Sequence, residues 1–401
     1  MKIFGIVSLG LILLGGCGKL ASEDTSAQES RTKISNMPSQ LEKLRQPVFR
    51  VAEQHVEGLS GARALYFFDK MHGWLASEKK VYKSEDAGTS WQIIEVPLLA
   101  GASVKQFFFV NSSTGWLVAQ NGWDRDSIRD YGDLGVQLLH TSDGGKSWTV
   151  QYQGRQVIVS AILFSTAQQG WLAGTKYLDP EGTTYTYFFL QTADGGQHWA
   201  DLADQILRTT SAGKSSTDNY QNDGLMGLVE QGPNHAITIT AHRKIIETVD
   251  GGRSWRQKAN LYQGPDPASI RRFGITDNRL WVASSMDAVE GIVGELAVSE
   301  TDNEWRGHAL PNAYFADVTW LSKDEFFASG YVKSIMKATG YQHAAIFYSS
   351  NRGSSWSIVY THPGISNIRI LAKVDSNSVW AVSDDQLLLK LERASPIPPN
   401  E

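Results

Sequence analysis

The chain is expected to fold as an all-β protein, a seven-bladed β-propeller of four-stranded blades in which an N-terminal strand closes the last blade. Three observations point there: a turn phrase that recurs five times, a strand phrase that recurs seven times around it, and the way the two ends of the chain complement each other.

The turn phrase reads SEDAGTSW (84–91), TSDGGKSW (141–148), TADGGQHW (192–199), TVDGGRSW (248–255) and SSNRGSSW (349–356). Every copy carries a hydroxyl residue first, then Asp86, Asp143, Asp194, Asp250 or Asn351, then a Gly, and closes on Trp91, Trp148, Trp199, Trp255 or Trp356. Recurrence at this period marks a repeat protein. The carboxylate is placed to accept hydrogen bonds from amides a residue or two ahead, and the Gly takes backbone angles that a Cβ makes costly. Each Trp then opens a strand and buries its ring, worth a few kcal/mol at roughly 25 cal/mol per Å². The phrase reads as a structural staple. Paired carboxylates for acid–base work must lie close together, whereas these come one to a repeat.

The strand phrase reads HGWLAS (72–77), TGWLVA (114–119), QGWLAG (169–174), HAITIT (235–240), RLWVAS (279–284), EFFASG (325–330) and SVWAVS (378–383). An apolar run such as ALYFFD or KQFFFV precedes most copies, so each unit begins with two strands joined by a turn. The spacing from Trp74 to Trp116 is 42 residues and from Trp116 to Trp171 is 55, room for four strands in each of seven units. Four-stranded units repeated radially make a propeller.

The last unit has SVWAVS and QLLLKLE but no following Trp-led strand, while QPVFRVAEQHV (46–56) is a strand without a unit of its own. Joining them closes the ring and removes exposed sheet edges. Unit five carries a worn phrase, SETDNEW (299–305), one residue short and lacking the Gly, and a looser turn is expected there.

A GW strand followed by T-x-D-G-G-x-S-W resembles the Asp-box, or bacterial neuraminidase, repeat. With seven blades and the leader described next, residues 46–393 resemble the photosystem II stability and assembly factor family and its non-photosynthetic bacterial relatives. That resemblance implies a protein-binding propeller with a basic patch on one face. Sialidases and xyloglucan hydrolases share the phrase, and one fold hosts unrelated activities.

Residues 1–16 read as a lipoprotein signal: Lys2, a short apolar stretch, then Leu14-Gly15-Gly16 before Cys17. Cys17 is the only cysteine, so its thiol is expected to carry lipid and no disulfide forms. Gly18 after it resembles lipoproteins sorted to the outer membrane facing the periplasm; a photosynthetic host would suggest the thylakoid. Residues 17–45 read as a flexible tether of roughly 30 Å reach, 46–393 as the propeller and 394–401 as a disordered tail. The net charge of −5 argues against nucleic acid as a partner.

In such a blade, with strands A to D, the staple turns join C to D. The long B–C segments 121–134, 175–186, 285–293 and 331–343, and the D–A segment 209–223, all fall on the opposite face, where loops on a rigid scaffold carry binding. The first strand of each blade also begins there. Counting back eleven residues from the Trp of the strand phrase reaches Arg63, Lys105, Ser160 and Arg369, and Arg271 after a one-residue deletion. Arg369, Arg63 and Lys105 come from adjacent blades and are candidates to line one arc of the channel mouth, where forked guanidinium groups suit a carboxylate; a solvated channel end that tolerates long polar side chains is the other reading. The segment WDRDSIRDYGD (123–133) adds Trp123, Arg125, Arg129 and Tyr131 as candidate protein contacts. Its carboxylates do not follow a calcium-loop pattern, no phosphate loop or nucleophile elbow occurs, and no cofactor or metal is expected.

Two function classes follow. The first is a non-catalytic, lipid-anchored, exported scaffold that binds a protein partner, with an anionic segment as ligand, during assembly or maintenance of a membrane complex. The second is a glycoside hydrolase, sialidase-like, which also gathers arginines around a carboxylate. Arg50 in VFRVA falls on the closing strand, and no Tyr–Glu nucleophile pair can be assigned.

Overall fold

The computed structural model describes residues 48–121, 131–211, 224–232, 234–261, 269–288, 291–301, 304–333, 342–384 and 387–394. The chain divides into compact units 1–43 and 44–401, and every described residue belongs to the second. Cys17, the signal and the tether therefore lie outside the described residues.

Strand β1 (Phe49–His55) opens the described chain. Blade one follows as β2 (Ala64–Phe67), β3 (Gly73–Ala76), β4 (Val81–Ser84) and β5 (Gln92–Ile94). Blade two is β6 (Ser103–Phe109), β7 (Gly115–Asn121), β8 (Gly135–Thr141) and β9 (Thr149–Arg155), and blade three is β10 (Val157–Phe164), β11 (Gly170–Tyr177), β12 (Tyr185–Thr192) and β13 (Ala200–Asp201). Blade four is β14 (Leu225–Gly232), β15 (His235–Thr240), β16 (Lys244–Thr248) and β17 (Arg256–Asn260); blade five is β18 (Ser269–Thr276), β19 (Arg279–Ala288), β20 (Gly291–Ser299) and β21 (Trp305–Pro311). Blade six is β22 (Ala313–Trp320), β23 (Phe326–Lys333), β24 (Gln342–Ser349) and β25 (Ser357–His362). Blade seven is β26 (Ile368–Lys373), β27 (Ser378–Ser383) and β28 (Leu387–Arg393), completed by β1.

All seven sheets are antiparallel and four-stranded, as the repeats predict. β1 pairs with β28 from Phe49 opposite Arg393 to His55 opposite Leu387, and the Ala394 amide donates to the Val48 carbonyl at 2.9 Å. The first strands neighbour one another around the ring, and β26 returns to β2. The predicted seven-bladed, end-closed propeller is what forms.

Alternation along the first strands breaks at one point for a physical reason. In β6 the buried positions are Val104, Phe107 and Phe109. An extra residue, Lys105, bulges between the pairs of Val104 with Ala119 and Gln106 with Val118, and shifts the parity. A bulge of this kind bends the strand and re-aims its side chain.

Aromatic rings hold the blades together in a repeating order. Trp380 of blade seven stacks on Phe67, and Trp91 meets Phe67 edge-on. Trp74 stacks on Phe109 with Trp148 edge-on, and Trp116 stacks on Phe164 with Trp199 edge-on. At these three blade junctions the strand-phrase Trp packs on the next blade, and the staple Trp of that blade meets the same Phe edge-on. Blade four breaks the series: Glu230 occupies the position of Phe164, and Trp255 turns to Phe189 instead.

The staple works over a longer reach than the sequence suggested. In blade two Asp143 accepts from the Ser147 amide and hydroxyl, four residues ahead, at 2.9 and 2.6 Å, rather than from amides one or two ahead. Thr141 donates to Asp143 and accepts the Gly145 amide, both at 2.8 Å. Asp86, Asp194, Asp250 and Asn351 repeat the pattern. Gly88 sits at φ 80° against blade seven, where an added Cβ would come within 2.6 Å of the Trp380 ring. Of the worn phrase in blade five, Asp302 and Asn303 lie outside the described residues.

One helix was not foreseen. α1 (Ala203–Ser211) follows β13, started by the Asp201 carboxylate accepting the Ala203 amide at 2.9 Å. It buries Ile206 against blades three and four, and the Thr209 hydroxyl donates to the Trp255 carbonyl at 3.0 Å.

Candidate functional site at the channel mouth

Counting back from the strand phrase lands on one structural position in every blade. Register shifts single out Lys105, Ser160, Met226, Arg271, Ala316 and Arg369 as the extra residues of their first strands. In blade one Arg63 takes the place just before β2, its amide donating to the Ala76 carbonyl at 2.8 Å. Four of these seven equivalent positions are Arg or Lys.

Arg63, Lys105, Ser160, Met226 and Arg271 line a cavity of about 400 Å³ at the channel, together with Arg272 and Lys373; none of its described lining residues is Asp or Glu. Arg369 holds the equivalent position but does not line this cavity. It is half-exposed and pairs with Asp384, at the end of β27. Arg63 likewise pairs with Glu78 on its own blade's B–C turn. The rim cations of blades seven and one are therefore clamped by acids outside the cavity, while the Arg271 guanidinium lies over the Tyr314 ring at 4.9 Å.

A third ion pair, buried on its carboxylate side and open to the channel on its guanidinium side, escaped sequence reasoning. Arg272 meets Asp317 in bidentate fashion, Nε to Oδ1 at 2.5 Å and Nη2 to Oδ2 at 3.1 Å. Asp317 is 2 % exposed and also accepts the amides of Val318 at 2.8 Å and Leu371 at 2.9 Å. One carboxylate so ties blades five, six and seven below the rim. Its signal was a lone acid in the otherwise apolar run AYFADVTW.

The insertions divide. Trp123, Arg125 and Arg129 lie outside the described residues. Tyr131 stands in a short 3-10 turn, Tyr131–Asp133; its amide donates to the Pro180 carbonyl at 2.7 Å and its ring lies 4.3 Å from that of Tyr177. The blade two insertion is thereby fastened to the blade three hairpin. The segment 285–293 largely extends strands β19 and β20, and the described part of 331–343 extends β23 and β24. Length variation on this face is in part taller strands.

No family model matches the chain, and no curated protein matches it. Solved structures do. A structure described as YCF48 bound to D1 peptide superposes with a TM-score of 0.58 at 15 % identity, covering 88 % of this chain and 99 % of that one. YCF48 from Cyanidioschyzon merolae gives 0.57 at 15 % identity, over 85 % and 98 %. The GH74 enzyme of Niastella koreensis gives 0.54 at 14 % identity, over 84 % of this chain and 53 % of that one. At such identities the likeness is one of fold: this chain is a propeller similar to YCF48 and to GH74 enzymes.

Proposed function

We propose that the protein is a non-catalytic scaffold that receives an acidic segment of a protein partner at the channel mouth. The observation that carries this reading is the ring of seven equivalent strand-start positions, four of them Arg or Lys, three of which line a cavity whose described lining has no carboxylate. Forked guanidinium groups held in place on a rigid rim suit a carboxylate. A glycoside hydrolase needs two carboxylates across its cleft, and the described lining of this mouth offers none. YCF48, a ring of similar fold, has been solved with a peptide bound, which supports a peptide as ligand here.

In the same reading the leader at 1–16 is cleaved, Cys17 carries lipid, and the exported ring works at the outer membrane facing the periplasm, in assembly or maintenance of a membrane complex. The chain joins the ring at the staple face, because β1 begins beside the end of β28. The mouth lies on the opposite face. The test is crosslinking and purification from membranes with the anchor intact, alongside incubation of pure protein with a panel of glycans. One stoichiometric partner, lost on charge reversal of Lys105 and Arg271, is the expected result. Release of reducing sugar by the pure protein would overturn the scaffold reading.

A further inference from the structure

The seven rim positions are chemically unequal. Between Lys105 of blade two and Arg271 of blade five, blades three and four place Ser160 and Met226, so the rim there is uncharged over two successive blades. Ser160 is short where other blades carry a long cation, and beside it a pit of about 360 Å³ opens, large enough for a ligand group. Its walls are Ile158, Val159, Thr175, the Tyr177 ring and Met226, with Lys105 at one edge. Gln120 also borders it, but that amide is spent on the Val157 carbonyl at 2.9 Å. Burial pushes the Tyr177 phenol up to about 12, so that wall stays neutral. The pit and the mouth cavity adjoin, with Lys105, Ser160 and Met226 lining both.

We propose that this pit is the specificity half of the site: it seats a large aliphatic side chain of the bound segment, next to an acidic side chain held at the cationic rim. The inference rests on the mouth being the binding site for an acidic segment. Charge complementarity fixes the acid near Lys105 or Arg271, and an extended segment points every second side chain the same way. A residue two along from that acid then faces the pit, where the half-buried Ile158 and Met226 lose contact with water on its arrival. A polar side chain there would surrender its hydration for few partners.

The test uses the full chain and three fluorescein-labelled, C-terminally amidated peptides. Gly-Ser-Glu-Gly-Leu-Gly-Ser is compared with versions carrying Ala for Leu and Gln for Glu, by fluorescence anisotropy at low and high salt. The Glu–Leu peptide should bind about tenfold more tightly than Glu–Ala, roughly 1.4 kcal/mol; both should weaken as salt rises, and the Gln peptide should bind least. Ile158→Thr, at a position that lines the pit and not the mouth cavity, should erase the Leu advantage while Glu–Ala binding stays unchanged; Met226→Gln, read as the ratio of Glu–Leu to Glu–Ala affinity, replaces it if that variant loses its melting transition. Equal, salt-sensitive binding of the Leu and Ala peptides would overturn the pit and spare the acidic-segment reading. Failure of every Glu peptide to bind would overturn both, and a Leu advantage that survives both variants would overturn the pit alone.

Discussion

The Trp74 ring stacks on that of Phe109 with centroids 3.8 Å apart, joining blade one to blade two. Trp74 is fully buried and Phe109 nearly so, and Trp148 meets Phe109 edge-on. Phe109→Ala should therefore open a void between two aromatic rings and cost about 3–5 kcal/mol. Chemical denaturation measures it directly. A loss below about 1 kcal/mol would mean that the two blades are held chiefly by other contacts.

The architecture could be read because it is written in local chemistry repeated many times. Gly and Asp fix a turn wherever they recur, and Gln46 to Val56 could be matched to the open last blade because a missing strand is visible as a missing phrase. The helix at Ala203–Ser211 was hidden because its apolar side is only Ala203, Ile206 and Leu207, too few to stand out from a loop. At the candidate site, Arg63, Lys105 and Arg271 were found by counting, since the start of each first strand keeps a nearly constant distance, ten or eleven residues, from the strand phrase. Their partners were not. That Glu78 holds Arg63 and Asp384 holds Arg369 depends on which way B–C turns fold back, and nothing periodic records it.

Asp317 should be the least replaceable carboxylate of the inner ring. It is 2 % exposed and answers one guanidinium and two amides. Asp317→Ala leaves the buried Val318 and Leu371 amides without their acceptor, and about 1–3 kcal/mol is expected, the scale of unpaired buried donors, because Arg272 itself reaches the solvated channel. Thermal unfolding of the variant checks this. If Asp317→Asn, which keeps the acceptor oxygen, loses as much as the Ala variant, charge rather than hydrogen bonding is the dominant contribution.

The staples make stability fall in acid. The Ser254 hydroxyl and amide donate to Asp250 and bring its pKa from 3.8 down to about 2; the Ser147 and His198 groups lower Asp143 and Asp194 in the same direction. A folded pKa below the unfolded one means stability that is present above pH ~4 and lost as pH falls through about 2. The Asp143 and Asp250 carboxylates are near the surface, so each of these two staples is expected to contribute only about 1 kcal/mol. Melting temperatures of wild type and Asp250→Ala should differ at neutral pH and converge as the pH falls towards 2. Curves that stay parallel throughout would assign the staple's strength to its glycines and Thr248 instead.

The clamps on the rim give a prediction of opposite signs. Glu78 draws the Arg63 guanidinium towards its own blade, and both side chains are partly exposed, 26 % for Arg63 and 47 % for Glu78. Glu78→Gln keeps the shape and removes the competing charge, so acidic peptides should bind a few-fold more tightly, in keeping with about 0.2–1 kcal/mol for an exposed pair. Arg63→Glu should do the reverse and more strongly, since it sets two acids side by side where an acid is to be bound. Both effects should shrink as salt rises, because exposed charges are screened over roughly 8–10 Å at physiological ionic strength. Peptide titrations at two salt concentrations measure both variants. If Glu78→Gln and Arg63→Glu shift affinity in the same direction, the pair acts by shaping the B–C turn rather than by charge, and the acid is held elsewhere on the rim.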